Sequence, residues 1–139
     1  MKETTRRYLI IVVLFAAVFI LVTAKNLQTQ KQTEELAGDS VIGKGKPVLL
    51  ELGSHSCIPC KQMMPILFDL SKAQDTFIVS FVDVNLVKGV VEKYNLEVIP
   101  TQILFDAKGN ELFRHIGIFG KDEILAKWKE LGVDVKLQP

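Results

Sequence analysis

The chain's two cysteines stand three residues apart, in Ser56-Cys57-Ile58-Pro59-Cys60-Lys61. Thiols at that spacing could exchange electrons with a disulfide, close a static bridge or ligate a metal. A static bridge over so short a loop removes little chain entropy. A zinc site would have to add His55 and His115 to Cys57 and Cys60, and that second pair lacks the tight spacing of a zinc module. A c-type haem needs His directly after the second Cys, where this chain has Lys61. Exchange fits best, for a geometric reason. An apolar run ends just before the pair and helical spacing begins just after it. Cys57 then sits at a helix start, where unpaired N–H groups and a partial positive charge stabilise a thiolate. Cys60, one turn further on and on the same face, can attack a mixed disulfide formed at Cys57.

The elements that must position this pair can be read on either side of it. Pro47 to Gly53 is a short apolar run that suits a buried strand. Pro59 to Gln74 has apolar residues at helical spacing, and Pro65 inside it predicts a kink. Phe77 to Val84 reads as a second strand, and Leu86 to Tyr94 as a short amphipathic helix. Gln102 to Asp106 and Glu111 to Ile116 read as strands joined by the turn Ala107-Lys108-Gly109-Asn110. Lys121 to Leu131 closes the chain as a helix with Ile124, Leu125, Trp128 and Leu131 on one face. A parallel portion followed by a hairpin predicts an α/β fold, a mixed central sheet flanked by helices. Trp128, Phe113 and Tyr94 are expected in the core, and His55, on a loop, is expected in solvent.

With these motifs in place, residues 41–135 resemble the thioredoxin family. The resemblance rests on the Cys57–Cys60 motif after a strand, on Ile99-Pro100-Thr101 before the next strand, and on Gly117 after the last one. It implies a thioredoxin-like fold, protein disulfides as substrates and no cofactor. It implies that Pro100 is a cis proline beside the cysteines. Ile58, Pro59, Ile99, Pro100 and Thr101 would then line a groove for the substrate backbone. It implies that Glu51, an acid in the middle of an apolar strand, is buried and assists proton transfer at Cys60. Burial raises a carboxyl pKa, which suits that task.

Three departures set this chain apart from a general cytosolic thioredoxin. Ser56 stands where the family usually has Trp, Ile58 replaces Gly between the cysteines, and Phe81 replaces a Lys common on the neighbouring strand. The pattern is similar to membrane-tethered relatives outside the cytoplasm, including those serving cytochrome c maturation. Strongly oxidising members carry His between the cysteines, and Ile58-Pro59 offers no such donor. A reductant is therefore expected, recharged by a membrane protein similar to DsbD or CcdA. Two alternatives stay open: a thiol oxidase or isomerase, and a metal-binding chaperone holding copper or zinc on Cys57, Cys60 and His55.

Placement outside the cytoplasm also follows from the N-terminus. Tyr8 to Ala24 is uncharged, has no Gly or Pro, and as a helix spans about 26 Å. Arg6, Arg7 and Lys25 at its ends can snorkel to extend it across a hydrocarbon core. The expected organisation is a signal-anchor over residues 1–25, a tether over 26–46 and a thioredoxin-like domain over 47–139. In the tether, Leu27 to Leu36 suits a short helix that Gly38 and Asp39 would stop. Lys2, Arg6 and Arg7 against Glu3 favour a cytoplasmic N-terminus and a domain on the far side, where disulfides persist. The alternative is a secreted protein cleaved near Ala24. Over the whole chain charges balance: 17 Lys and Arg against 16 Asp and Glu leave +1, which argues against nucleic acid as a partner.

Overall fold

A computed structural model describes residues 2–34 and 38–138, with side chains described over 6–24 and 38–138. The chain forms two units, Met1–Glu35 and Leu36–Pro139. The first is one helix, α1 (Lys2–Glu34). It includes Arg6–Ala24, with a mean hydropathy of 2.6 and the length and composition to cross a membrane. A signal sequence meets the same criterion. Inside this stretch the Thr23 hydroxyl donates to the carbonyls of Phe19 and Ile20, so the helix itself satisfies its polar group. Helix continues past the apolar run over Leu27–Glu34, while Leu36, at the end of the short helix expected there, lies outside the described residues.

The second unit is a four-stranded sheet with helices on it, in the order β1 (Val48–Gly53), α2 (Ile58–Ala73), β2 (Ile78–Asp83), α3 (Val90–Lys93), β3 (Thr101–Phe105), β4 (Glu111–Ile116) and α4 (Lys121–Glu130). The strands lie in the order β2-β1-β3-β4. β1 runs parallel to β2, and β3 is antiparallel to both β1 and β4. The mixed sheet expected from the sequence is present. β1 is central and buried along its whole length, which is why it reads as a continuous apolar run rather than an alternating one.

Strand alternation splits the core in two. Leu49 and Leu104 point to one face, where they pack with Met63, Leu67 and Leu70 of α2 and Ile124 and Trp128 of α4. Val48, Leu50, Leu52, Ile103 and Phe105 point to the other, with Val90 and Tyr94. Val41 and Ile42 pack against this second cluster, and the Gly45 N–H donates to the Ala107 carbonyl. Glu51 and Gln102 are therefore on the face that α2 covers. Trp128 is completely buried and Tyr94 nearly so, as expected of core aromatics.

α2 runs through Pro65, which is exposed; its ring removes the hydrogen bond to the Lys61 carbonyl without ending the helix. One element differs from expectation. The helix expected over Leu86–Tyr94 shrinks to the single turn Val90–Lys93. Gly89 at its start has φ 77°, a left-handed conformation no α-helix continues through, and Leu86 and Val87 are exposed on the preceding turn. The β3–β4 hairpin falls where expected. The Asp106 carboxylate accepts from the backbone N–H groups of Lys108 and Asn110, and Gly109 takes φ 92°.

Candidate active site

Both cysteines are free thiols. Cys57 is the N-cap of α2. Its extended backbone turns the chain into the helix, and its Sγ accepts the Cys60 N–H at 3.4 Å. A sulfur here takes the place of the usual capping oxygen and satisfies a donor the helix leaves unpaired. Pro59, in the first turn, has no N–H to satisfy. Cys57 is half-buried, whereas Cys60 is 1% exposed. Burial, then the hydrogen bond to Cys57, push the Cys60 thiol up to about 12. One sulfur is thus accessible and capped by backbone, and the other is buried and held protonated.

Gly53 makes room for the buried one. A Cβ built on it would lie 3.2 Å from Phe81 Cε2, 3.3 Å from Cys60 Cβ and 3.4 Å from Cys60 Sγ. The missing side chain therefore points at Cys60. Glu51, two residues earlier, projects from the same face about 6.6 Å along the strand. Glu51 is fully buried, and this burial raises its carboxyl to about 8, only partly opposed by the hydrogen bond from Gln102. Gln102 is its register partner across β3, and Nε2 donates to Glu51 Oε2 at 2.8 Å. Glu51 Oε1 has no hydrogen-bond partner. A negative charge on Glu51 also raises Cys60, so the two acids are electrostatically linked.

The Ile99–Pro100 peptide is cis. Thr101 pairs with Leu52, which sets Pro100 beside the end of β1 where the cysteine loop begins. Ile58 is 73% exposed and Pro59 is exposed; Ile99 is half-buried, and Pro100 and Thr101 are buried. The Thr101 hydroxyl donates to the Val98 carbonyl within its own loop. Glu51 on β1, Cys57 to Cys60 at the start of α2 and Ile99 to Thr101 at the start of β3 are thus set on three elements around the end of β1.

His55 differs from expectation. It is not simply solvated: its backbone N–H donates to Asp83 Oδ2 at 2.9 Å, its Nδ1 also bonds that oxygen, and its ring meets Phe81 edge-on. Asp83 ends β2 beside Gly53, so sheet pairing brings it to the loop. Burial works to raise the Asp83 carboxyl, but the N–H groups of His55 and Asn85 and the His55 ring together hold it below the usual range. The Ser54 hydroxyl receives the Asn85 amide at 2.6 Å and the Ser56 N–H at 3.2 Å. These bonds pin residues 54–56 to the end of β2. Sequence reasoning missed Gly53, Asp83 and Gln102. The signal for the first was a glycine between a buried strand and a cysteine motif; the other two act across the sheet. Among the described residues, no three His, Cys, Asp or Glu side chains are placed to hold a metal.

A mixed sheet covered on both faces, with an accessible cysteine capping a helix over a buried one, defines a thioredoxin-fold protein. Comparison with known proteins agrees. A family model described as a thioredoxin-like domain matches residues 35–132, and the chain belongs to this family. It is 33% identical over 84 residues, 60% of the chain, to chloroplastic thioredoxin Y1 of Arabidopsis thaliana, of which 49% is covered. The chain thus spans about half the length of such plant relatives. It is 29% identical over 104 residues to the thioredoxin of Mycobacterium bovis, covering 74% of the chain and 89% of that protein. A solved structure of a mutant thioredoxin from Halobacterium salinarum superposes with a TM-score of 0.59 at 23% identity, over 75% of this chain and 91% of that one, a likeness of fold.

Proposed function

We propose that this protein is a membrane-anchored thiol–disulfide oxidoreductase that reduces protein disulfides outside the cytoplasm. The observation that carries the reading is the unequal pair: Cys57 half-exposed at a helix start, Cys60 buried behind it. In this reading the Cys57 thiolate attacks a substrate disulfide, forming a mixed disulfide and releasing one substrate thiolate. Cys60 then gives its proton to Glu51, whose carboxyl near 8 is a far better acceptor than an ordinary exposed acid. The Cys60 thiolate attacks Cys57 Sγ, closing the Cys57–Cys60 disulfide and releasing the second substrate thiolate. Two electrons leave the pair, and a membrane dithiol similar to DsbD or CcdA returns them. Pro100 and the exposed Ile58 and Pro59 would flank the substrate backbone, with Ile99 and Thr101 completing the groove.

Reduction rather than oxidation is supported by the absence of a charged or donating side chain between the cysteines. The apolar Tyr8–Ala24 run behind Arg6 and Arg7 supports anchoring with the domain outside. Residues 1–25 would then be the anchor, and service to cytochrome c maturation is one role such a reductant would fill. Two assays test the reading. The full chain in detergent should reduce insulin with dithiothreitol as electron source, and Cys57→Ser should abolish this. In cells it should resist alkaline carbonate extraction; a mature N-terminus at Lys25 would replace the anchor with a secreted protein.

A further inference from the structure

Gln102 is fully buried on the α2 face of β3, where its strand neighbours are Thr101, Ile103 and Leu104. An amide in such a place costs free energy unless it is bonded. Both of its hydrogens are used: Nε2 donates to Glu51 Oε2 at 2.8 Å and to the Gly117 carbonyl at 3.0 Å. Turning the amide over would set its oxygen against the Gly117 carbonyl, which can only accept, so the network fixes which end is nitrogen. The Gly117 N–H in turn donates to the Pro100 carbonyl at 2.9 Å. Three hydrogen bonds therefore run from the Glu51 carboxyl through Gln102 and the Gly117 peptides to Pro100. With Oε2 occupied by the amide, Glu51 Oε1 is the carboxyl oxygen without a partner.

We propose that Gln102 is the positioning residue of the resolving step. It holds the Glu51 carboxyl by Oε2, presents Oε1 as the atom that takes the Cys60 proton, and ties the acid to the backbone beside Pro100. This rests on the reading of Glu51 as the proton acceptor for Cys60. Packing alone does not require an amide here: a leucine has similar volume and leaves no orphan oxygen, whereas Gln102 Oε1 has no donor. The amide is explained by what it holds. Its hydrogen bond favours the charged carboxylate and so keeps Glu51 ionisable despite burial.

The test uses the full chain in detergent micelles, with ¹³C-labelled glutamate and with Gln102→Leu and Gln102→Met as two apolar replacements of similar size. The Glu51 carboxyl resonance is assigned by its loss in Glu51→Gln. In either Gln102 variant its titration midpoint should rise by about one pH unit, the scale of one lost hydrogen bond to a charge. The rate at which Cys60 resolves a preformed mixed disulfide should fall about tenfold at pH values below the midpoint. The first attack by Cys57 should keep its rate. A midpoint and resolving rate equal to wild type in a folded Gln102 variant overturn the proposal and leave the Glu51 reading intact. A Glu51→Gln protein that resolves mixed disulfides at the wild-type rate at every pH overturns both.

Discussion

The Cys60 N–H donates to Cys57 Sγ at 3.4 Å, so the second cysteine's backbone steadies the sulfur that its side chain must later attack. The same geometry leaves Cys57 partly open and Cys60 closed. Iodoacetamide at neutral pH should modify Cys57 at least roughly ten times faster than Cys60, because alkylation needs an accessible thiolate. Cys60→Ser should accumulate mixed disulfides with partners, visible on non-reducing gels, and Cys57→Ser should not. Trapping by Cys57→Ser alone would reverse the two roles.

Glu51 should make stability depend on pH in a definite direction. Its folded carboxyl lies near 8, against about 4.3 in an unfolded chain. Below the unfolded value both states are protonated and burial carries no ionisation penalty. Between the two values the unfolded state loses a proton that the folded state keeps, so stability falls as pH rises and levels off above about 8. Glu51→Gln removes this term. It should be more stable than wild type at pH 8, on the order of a few kcal/mol, and nearly equal at pH 4, by urea denaturation. A pH-independent difference would show that Glu51 does not titrate as described.

Gly53→Ala should be destabilising although the backbone there is ordinary. The new methyl would sit 3.2 Å from the Phe81 ring and 3.3 Å from Cys60 Cβ, which is fixed by α2. Overpacking of this kind costs about 1–3 kcal/mol. Chemical denaturation measures it, and faster alkylation of Cys60 should accompany it if the methyl pushes the helix start outward.

Asp83→Ala should free the loop ahead of the cysteines. The carboxylate accepts from the N–H groups of His55 and Asn85 and pairs with the His55 ring. Its folded pKa is depressed, so its contribution is present above the unfolded value of about 3.9 and is lost as pH falls through the folded one. At pH 7 the variant should lose about 1–3 kcal/mol, and the His55 and Asn85 amides should exchange hydrogen faster. Unchanged protection at those two amides would contradict the pinning role.

The parts of this molecule legible in the sequence are those whose signal is local. Val48-Leu49-Leu50 announces a buried strand, Cys57 to Cys60 a helix start carrying two thiols, and Glu51 an acid set inside an apolar run. The Leu86–Tyr94 segment misleads, since its apolar spacing mimics a helix while Gly89 breaks it and Leu86 faces solvent. What stayed hidden depends on pairing between distant residues. Glu51 meets Gln102 only through the register of β1 and β3, and His55 meets Asp83 only because β1 and β2 end together. Neither register is written in either segment alone.

The equilibrium redox potential of the Cys57–Cys60 pair, measured against a glutathione buffer in the full chain, tests the central claim most directly. Ile58-Pro59 supplies no charge to stabilise a Cys57 thiolate in the reduced pair. The expected value lies nearer the roughly −270 mV of thioredoxin than the roughly −120 mV of DsbA, where about 30 mV corresponds to about 1.4 kcal/mol. A value more positive than about −150 mV, towards the oxidising limit, would contradict the reductase account.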